Sequence, residues 1–150
     1  VMRQLIDLAE EYSCSFVGVQ RVSREVIGKY CTLGVKPVKE RCYDVTELIE
    51  KPRPEQVISD FAILGRYVLT PAIFDVLEDL PAGYGGEIQL TDGLNALCQN
   101  ERMLACDFEG KRYDTGNLRG YMEVTIDMAL EHPEIKDWMK DFLRSKIENS

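Results

Sequence analysis

A chain of 150 residues that is 45% hydrophobic and 29% charged has the size and balance of one soluble globular domain, which excludes disorder and collagen-like or coiled-coil repeats. Its net charge of -8 repels nucleic-acid backbones and anionic lipid headgroups, so neither is an expected partner, and a phosphate ligand must be held by placed cations, backbone N–H groups or a metal ion. The cysteines, Cys14, Cys31, Cys42, Cys98 and Cys106, are odd in number and form no CxxC pair, and no apolar run reaches the ~18 residues of a membrane span. Reduced thiols in a cytoplasmic protein are expected.

The opening MRQLIDLAEEY sets Met2, Leu5, Ile6, Leu8 and Ala9 near one face at helical spacing, and SFVGVQ reads as a buried strand. A helical turn over Arg24 to Lys29 leads into CTLGVKPV, and ERCYDVTELIE reads as a strand that Pro52 and Pro54 stop. FAILGRYVLT is a further strand, and PAIFDVLEDL is a helix with Pro71 in its first turn. AGYGGE is a loop, and TDGLNALCQN is a helix with Thr91 or Asp92 as N-cap. MLACDFEG is a strand and KRYDTGN a turn. Two helices close the chain, LRGYMEVTIDMALE and PEIKDWMKDFLRSKI, the second opened by Pro133 and expected to bury Ile135, Trp138, Met139, Phe142 and Leu143. Alternating strands and helices imply an α/β domain around a mostly parallel, interrupted sheet. The chain starts on a helix and has no glycine-rich loop after its first strand, so an upstream half is expected to be missing.

Chemistry concentrates in three places. Glu50-Lys51-Pro52 ends a strand on the side of the sheet that collects ligands. It is either a solvated terminus or a site in which the carboxylate accepts from sugar hydroxyls and the ammonium meets a phosphate. Gly83-Tyr84-Gly85-Gly86-Glu87 lacks the Lys-Ser/Thr pair of a P-loop and reads as a flexible loop before a helix. Within Gly110–Gly116, Asp114 is a turn former, an N-cap or a hard-cation ligand. His132, beside Pro133, is a helix-boundary residue, and no Ser-His-Asp or Cys-His constellation assembles.

In combination and order, LIEKPRPEQVISDFAILGRYVLTPAIFDVLED, GYGGEIQLTDGLNAL and FEGKRYDTGNLRGYMEVTIDMALEHPE resemble the C-terminal half of bacterial UDP-glucose pyrophosphorylases. MRQLIDLAEEY and SFVGVQRVSREVIGKY extend the resemblance over nearly the whole chain. It implies a Rossmann-like mixed sheet of the nucleotide-diphospho-sugar transferase type, closed by two helices. Residues 1–150 would then be the sugar-phosphate portion, with the nucleotide-binding half absent. The implied reaction is attack of a glucose 1-phosphate oxygen on the α-phosphorus of UTP, giving UDP-glucose and pyrophosphate with Mg2+ as cofactor.

Matching motifs carry Glu50 to the glucose hydroxyls and Lys51, the catalytic cation, to the sugar phosphate. Ala62 and Ile63 would lie against the ring by their backbone, with Tyr67 nearby, Glu87 in the sugar pocket and Asp114 on Mg2+. One departure is Cys31, where the family usually has glycine, and Cys31 is left out of the site. Thymidylyl or cytidylyl transfer, and a non-catalytic interaction module, are the competing readings. The resemblance also implies a homo-oligomer. Without an upstream half, the VGV and ILGRYVL strands are expected to leave unpaired edges that favour self-association.

Overall fold

The computed structural model describes residues 1–82 and 86–148 and divides into two compact units, Val1–Glu109 and Gly110–Ser150. The first holds five strands, β1 (Ser15–Arg21), β2 (Cys31–Lys39), β3 (Cys42–Glu50), β4 (Phe61–Val68) and β5 (Met103–Asp107). Its helices are α1 (Met2–Tyr12), α2 (Ala72–Glu78) and α3 (Leu90–Asn100), with short 3-10 turns at Ile27–Lys29 and Pro54–Gln56. The second unit holds α4 (Leu118–Glu131) and α5 (Lys136–Glu148).

The strands close into a ring in the order β1-β4-β2-β3-β5, with β5 returning to β1. Only β1 and β5 pair in parallel, and the other four pairings are antiparallel. The expectation of a mostly parallel sheet is therefore corrected to a mixed one. The cause is local: β2 and β3 are joined at Glu40–Arg41, and so short a connection permits only antiparallel pairing. Arg41 itself takes φ 60°, so the hairpin is made without an Asn-Gly or Asp-Gly signal.

The expected open edge is also corrected. β1 is paired on both sides, Val17 and Val19 are fully buried, and Phe61, Ala62 and Ile63 in β4 are buried as well. A strand covered on both edges and both faces reads as a continuous apolar run, as SFVGV does. Between Val17 and Val19 the pairing with β4 jumps from Tyr67 to Ile63, so β4 bulges over Leu64, Gly65 and Arg66, with Gly65 at φ 69°. Gly18 accepts this close approach, since a Cβ there would lie 3.3 Å from Arg66 and from Phe108.

Two bulges in the β2–β3 hairpin offset each other. Val38 is extra in β2 and Thr46 is extra in β3, so the register displaced near the turn is restored at the far end, where Cys31 faces Glu50. Without the second bulge every residue beyond it would change partner and face.

Helix α1 places Leu5, Leu8, Ala9 and Tyr12 against a cluster of Phe16, Cys42, Leu104, Cys106 and Phe108. Met2 and Ile6, expected on that face, are exposed. Helix α3 starts at Leu90 with Gln89 as N-cap, so neither Thr91 nor Asp92 caps it. In the second unit Asn117 caps α4, its side chain accepting from the Gly120 N–H at 2.9 Å. The expectation that α5 buries its apolar residues is overturned: none is buried, and Trp138 and Phe142 stack on each other at 5.3 Å while remaining 58% and 41% exposed. Helical spacing shows that these residues share a face, not that a partner covers it.

Candidate active site

Strand β3 ends on Glu50, directly opposite Cys31 at the start of β2. Past Asp44 the pairing of β3 with β5 stops, and helix α3 covers the edge that follows. Three α3 side chains at i, i+4 and i+7 reach it in turn. The Cys98 thiol donates to the Val45 carbonyl at 3.3 Å, Asn95 Oδ1 accepts from the Leu48 N–H at 3.3 Å, and Thr91 Oγ1 donates to Glu50 Oε2 at 2.8 Å. The helical repeat thus extends the work of a neighbouring strand along β3 as far as the carboxylate.

Lys51 follows with φ 44°, a left-handed conformation that costs an L-residue roughly 1–2 kcal/mol. Its N–H donates to the Tyr30 carbonyl at 3.1 Å, and Pro52, which is buried, anchors the next position. The sequence places the turn at Pro52, whereas the structure places the unusual backbone one residue earlier, at Lys51. Glu50 and Lys51 are both exposed, so each is available to a solute.

Beside Glu50 stand the Cys31 thiol and the Tyr67 ring. Cys31, Ile63 and Val19 share one buried cluster, with Tyr67 packed against it half-buried. Burial pushes the Cys31 thiol up to about 12, the Glu50 charge adds to this, and hydrogen bonds involving the Ile49 backbone and Thr91 oppose it. Tyr67 is likewise raised, first by burial, then by Cys31 and Glu50. Neither group is a nucleophile or base at neutral pH. They form a neutral wall beside a carboxylate. Ala62 pairs with Gln20 on one side and Thr32 on the other, and its side chain is fully buried.

The structure therefore brings Cys31, Thr91 and Tyr67 to Glu50, with Lys51 next in the chain, while Ile63 lies in the buried core beside Val19 and Ala62 pairs with Thr32. Glu87 is exposed and precedes α3, and no hydrogen bond brings it to Glu50 among the described residues. Of the loop Gly83 to Glu87, Gly83, Tyr84 and Gly85 lie outside the described residues. Cys31 and Thr91 are the neighbours of Glu50 that sequence reasoning set aside. The register of the hairpin is the signal that finds the first, and the i, i+4, i+7 spacing of Thr91, Asn95 and Cys98 finds the second.

Asp114 belongs to the second unit. Its Oδ1 accepts from the Gly116 N–H at 3.0 Å and its carbonyl accepts from Asn117 Nδ2 at 3.3 Å, so of the roles open to it the turn is the one observed. The Asp127 carboxylate holds the same loop by accepting from Lys111 Nζ and from the Tyr113 hydroxyl. These contacts lower the Asp127 pKa, the lysine more than the tyrosine. No group of three His, Cys, Asp or Glu side chains is arranged to hold a metal among the described residues. A single hard carboxylate such as Asp114 still suits Mg2+, which takes one or two protein carboxylates together with substrate phosphates. No helix of the described residues is long and apolar enough to cross a membrane.

Known proteins resemble this chain in sequence and in fold. A UTP–glucose-1-phosphate uridylyltransferase 2 of Streptococcus pyogenes is 43% identical over 143 residues, covering 94% of this chain and 48% of that protein. The corresponding enzyme of Streptococcus pneumoniae serotype 4 is 42% identical over 142 residues with the same coverage. The chain spans about half the length of the curated relatives it matches. A UDP-glucose pyrophosphorylase solved with UDP-glucose superposes with a TM-score of 0.81 at 35% identity, over 87% of this chain and 49% of the other. The pyrophosphorylase of Acinetobacter baumannii gives 0.85 at 25% identity over 96% and 50%. The profile of the family described as Nucleotidyl transferase matches residues 3–131, and with most of its length so accounted for this chain belongs to that family.

Proposed function

We propose that this chain supplies the sugar-phosphate side of a site that transfers a uridylyl group from UTP to glucose 1-phosphate, releasing pyrophosphate and giving UDP-glucose. One observation carries the reading: a carboxylate and an ammonium, Glu50 and Lys51, stand side by side at a strand end, the first clamped by Thr91 and the second on a backbone held left-handed. A carboxylate accepts from two sugar hydroxyls at once, and an ammonium follows a phosphate as a point charge. The backbone at Ala62 and Ile63 would lie against the sugar ring, and the half-buried ring of Tyr67 offers it an apolar surface. The resemblance to enzymes named for this reaction supports the choice of substrates.

In such a transfer two anions are brought into line, and positioning with charge neutralisation supplies most of the acceleration. Lys51 holds the glucose 1-phosphate and offsets charge that grows at the phosphorus, while Glu50 orients the sugar. By the resemblance Asp114 is the candidate Mg2+ ligand, and Mg2+ would supply neutralisation of phosphate charge in such a reaction. Glu87 stands in this reading as an outer contact of the sugar pocket.

A cytoplasmic location is supported by the five unpaired thiols. Self-association is supported by the exposed Trp138–Phe142 stack, and light scattering showing a clean monomer at micromolar concentration removes it.

The test of the site is a titration of the chain with glucose 1-phosphate followed by amide NMR. Shifts concentrated at Glu50, Lys51, Ile63 and Tyr67 are expected. Shifts that gather elsewhere, or none at millimolar ligand, overturn the assignment.

A further inference from the structure

We infer that Thr91 is a positioning residue that sets the orientation of the Glu50 carboxylate and through it the recognition of the sugar. The inference rests on the reading of Glu50 as a sugar contact. Glu50 is an exposed side chain at the end of a strand, and left alone it would spread over several rotamers, a freedom that ligand binding would have to remove. Thr91 Oγ1 donates to Glu50 Oε2 at 2.8 Å from the first turn of α3. On a helix threonine is confined largely to two χ1 wells, and in the one adopted here the hydroxyl meets Glu50.

The helix beneath that anchor is itself fixed against β3. Asn95 and Cys98, on the same face as Thr91, bond the backbone of Leu48 and Val45, and Leu94 and Leu97 are buried in the core. On the other side of Glu50 the buried Cys31 closes off the strand edge. Glu50 is thus placed between a rigid donor and an apolar wall. With Oε2 already accepting from Thr91, Oε1 and the remaining lone pair of Oε2 are the acceptors turned to solvent. Two acceptors in a fixed plane discriminate between sugars that differ in hydroxyl configuration, whereas a mobile carboxylate does not. Among the described residues no hydrogen bond joins Thr91 to Lys51, so the lysine's proposed hold on a phosphate does not depend on this clamp.

That independence gives the test. Dissociation constants for glucose 1-phosphate and for inorganic phosphate are measured by NMR titration on the full chain, for wild type, Thr91→Val, Thr91→Ser, Glu50→Gln and the Thr91→Val/Glu50→Gln double variant. Thr91→Val is expected to weaken glucose 1-phosphate about tenfold, the scale of one lost charge-assisted hydrogen bond, and to leave inorganic phosphate unchanged. Thr91→Ser, which keeps the hydroxyl, restores most of the affinity, and the double variant is no weaker than Glu50→Gln. If Thr91→Val binds glucose 1-phosphate like wild type while Glu50→Gln does not, the positioning role is overturned and the site reading stands. If both ligands weaken together, Thr91 only holds the fold, and the inference is equally overturned. If neither variant changes glucose 1-phosphate binding, the sugar-contact reading of Glu50 fails and takes the inference with it. Should Thr91→Val unfold, Thr91→Ala, which favours the helix, repeats the comparison.

Discussion

The backbone N–H of Lys51 donates to the Tyr30 carbonyl at 3.1 Å, and this bond holds Lys51 at φ 44° where β3 ends. The conformation costs a residue with a Cβ roughly 1–2 kcal/mol, and glycine escapes that cost. Glycine also loses about 0.5–1 kcal/mol more backbone entropy on folding than alanine does. The first effect is the larger, so Lys51→Gly should be more stable than Lys51→Ala by about 0.5–1 kcal/mol in urea denaturation. Both variants lack the ammonium, and if Lys51 has the proposed role both should lose about 3 kcal/mol of transition-state stabilisation in a uridylyl-transfer assay, seen as slower pyrophosphate release. Near-normal turnover with only a raised KM would assign Lys51 to ground-state binding alone. A Lys51→Gly variant less stable than Lys51→Ala by about 0.5–1 kcal/mol, the entropy cost of glycine alone, would show that the left-handed backbone is unstrained.

A second prediction concerns the support beneath β1 and β4. Ser15 is fully buried, and its hydroxyl donates to Glu101 Oε1 at 3.0 Å while accepting from the Thr70 N–H at 3.0 Å. Thr70 Oγ1 donates to the same Glu101 oxygen at 2.7 Å. Glu101→Leu removes the shared acceptor and leaves two hydroxyls competing for each other. A loss of about 1–3 kcal/mol is expected from urea denaturation, the range for a buried polar group left unpaired. A change within ±0.5 kcal/mol would mean that water replaces the carboxylate without penalty.

Local patterns in the sequence mark the elements well, because apolar spacing and proline positions are local quantities. SFVGV is strand because its partners cover both edges, and α3 is helix because Gly93, Leu94 and Leu97 bury one face. Register is not local. That Cys31 faces Glu50 depends on two bulges, at Val38 and Thr46, and neither residue type announces a bulge. The same holds for Thr91, which reads as a helix cap by type but reaches across to another element. The motif Glu50-Lys51 was legible from its place at a strand end, while the left-handed Lys51 was not, since lysine carries no signal for positive φ. The exposed face of α5 marks the opposite failure, in which a periodic apolar stripe is read as core.

A third prediction follows from Cys31. Its thiol is pushed up from an ordinary 9.0 to about 12, chiefly by burial. A folded value above the unfolded one means that the folded state holds the proton more tightly. The contribution to stability is then complete below pH 9 and is lost as pH rises through the window from 9 to 12. Other groups titrate there as well, so the difference between wild type and Cys31→Val isolates the thiol. The wild-type stability relative to this variant should be constant up to pH 8 and fall above pH 9. A difference that stays flat through pH 10.5 would show that the thiol is not desolvated. Iodoacetamide should accordingly leave Cys31 unmodified in the native protein at pH 8.

The last prediction tests the turn that carries Asp114. Gly120 lies in the first turn of α4, its N–H donating to Asn117 Oδ1 at 2.9 Å, and Asn117 Nδ2 donates to the Asp114 carbonyl at 3.3 Å. A Cβ on Gly120 would fall inside the van der Waals envelope of that carbonyl oxygen. Helix propensity alone favours Gly120→Ala by about 1 kcal/mol, so an unobstructed site would become more stable on substitution. The obstruction is backbone rather than a flexible side-chain tip, and it cannot move without breaking the Asn117 cap or the Asx turn in which Asp114 accepts from Gly116. Loss of a cap costs about 1 kcal/mol, and displacement of the loop adds to it, so a net loss is expected. Thermal denaturation decides the sign. A gain in stability would mean that the turn packs less closely on α4 than the structure shows. A loss accompanied by weaker Mg2+ binding in a direct titration would tie the turn geometry to the proposed role of Asp114.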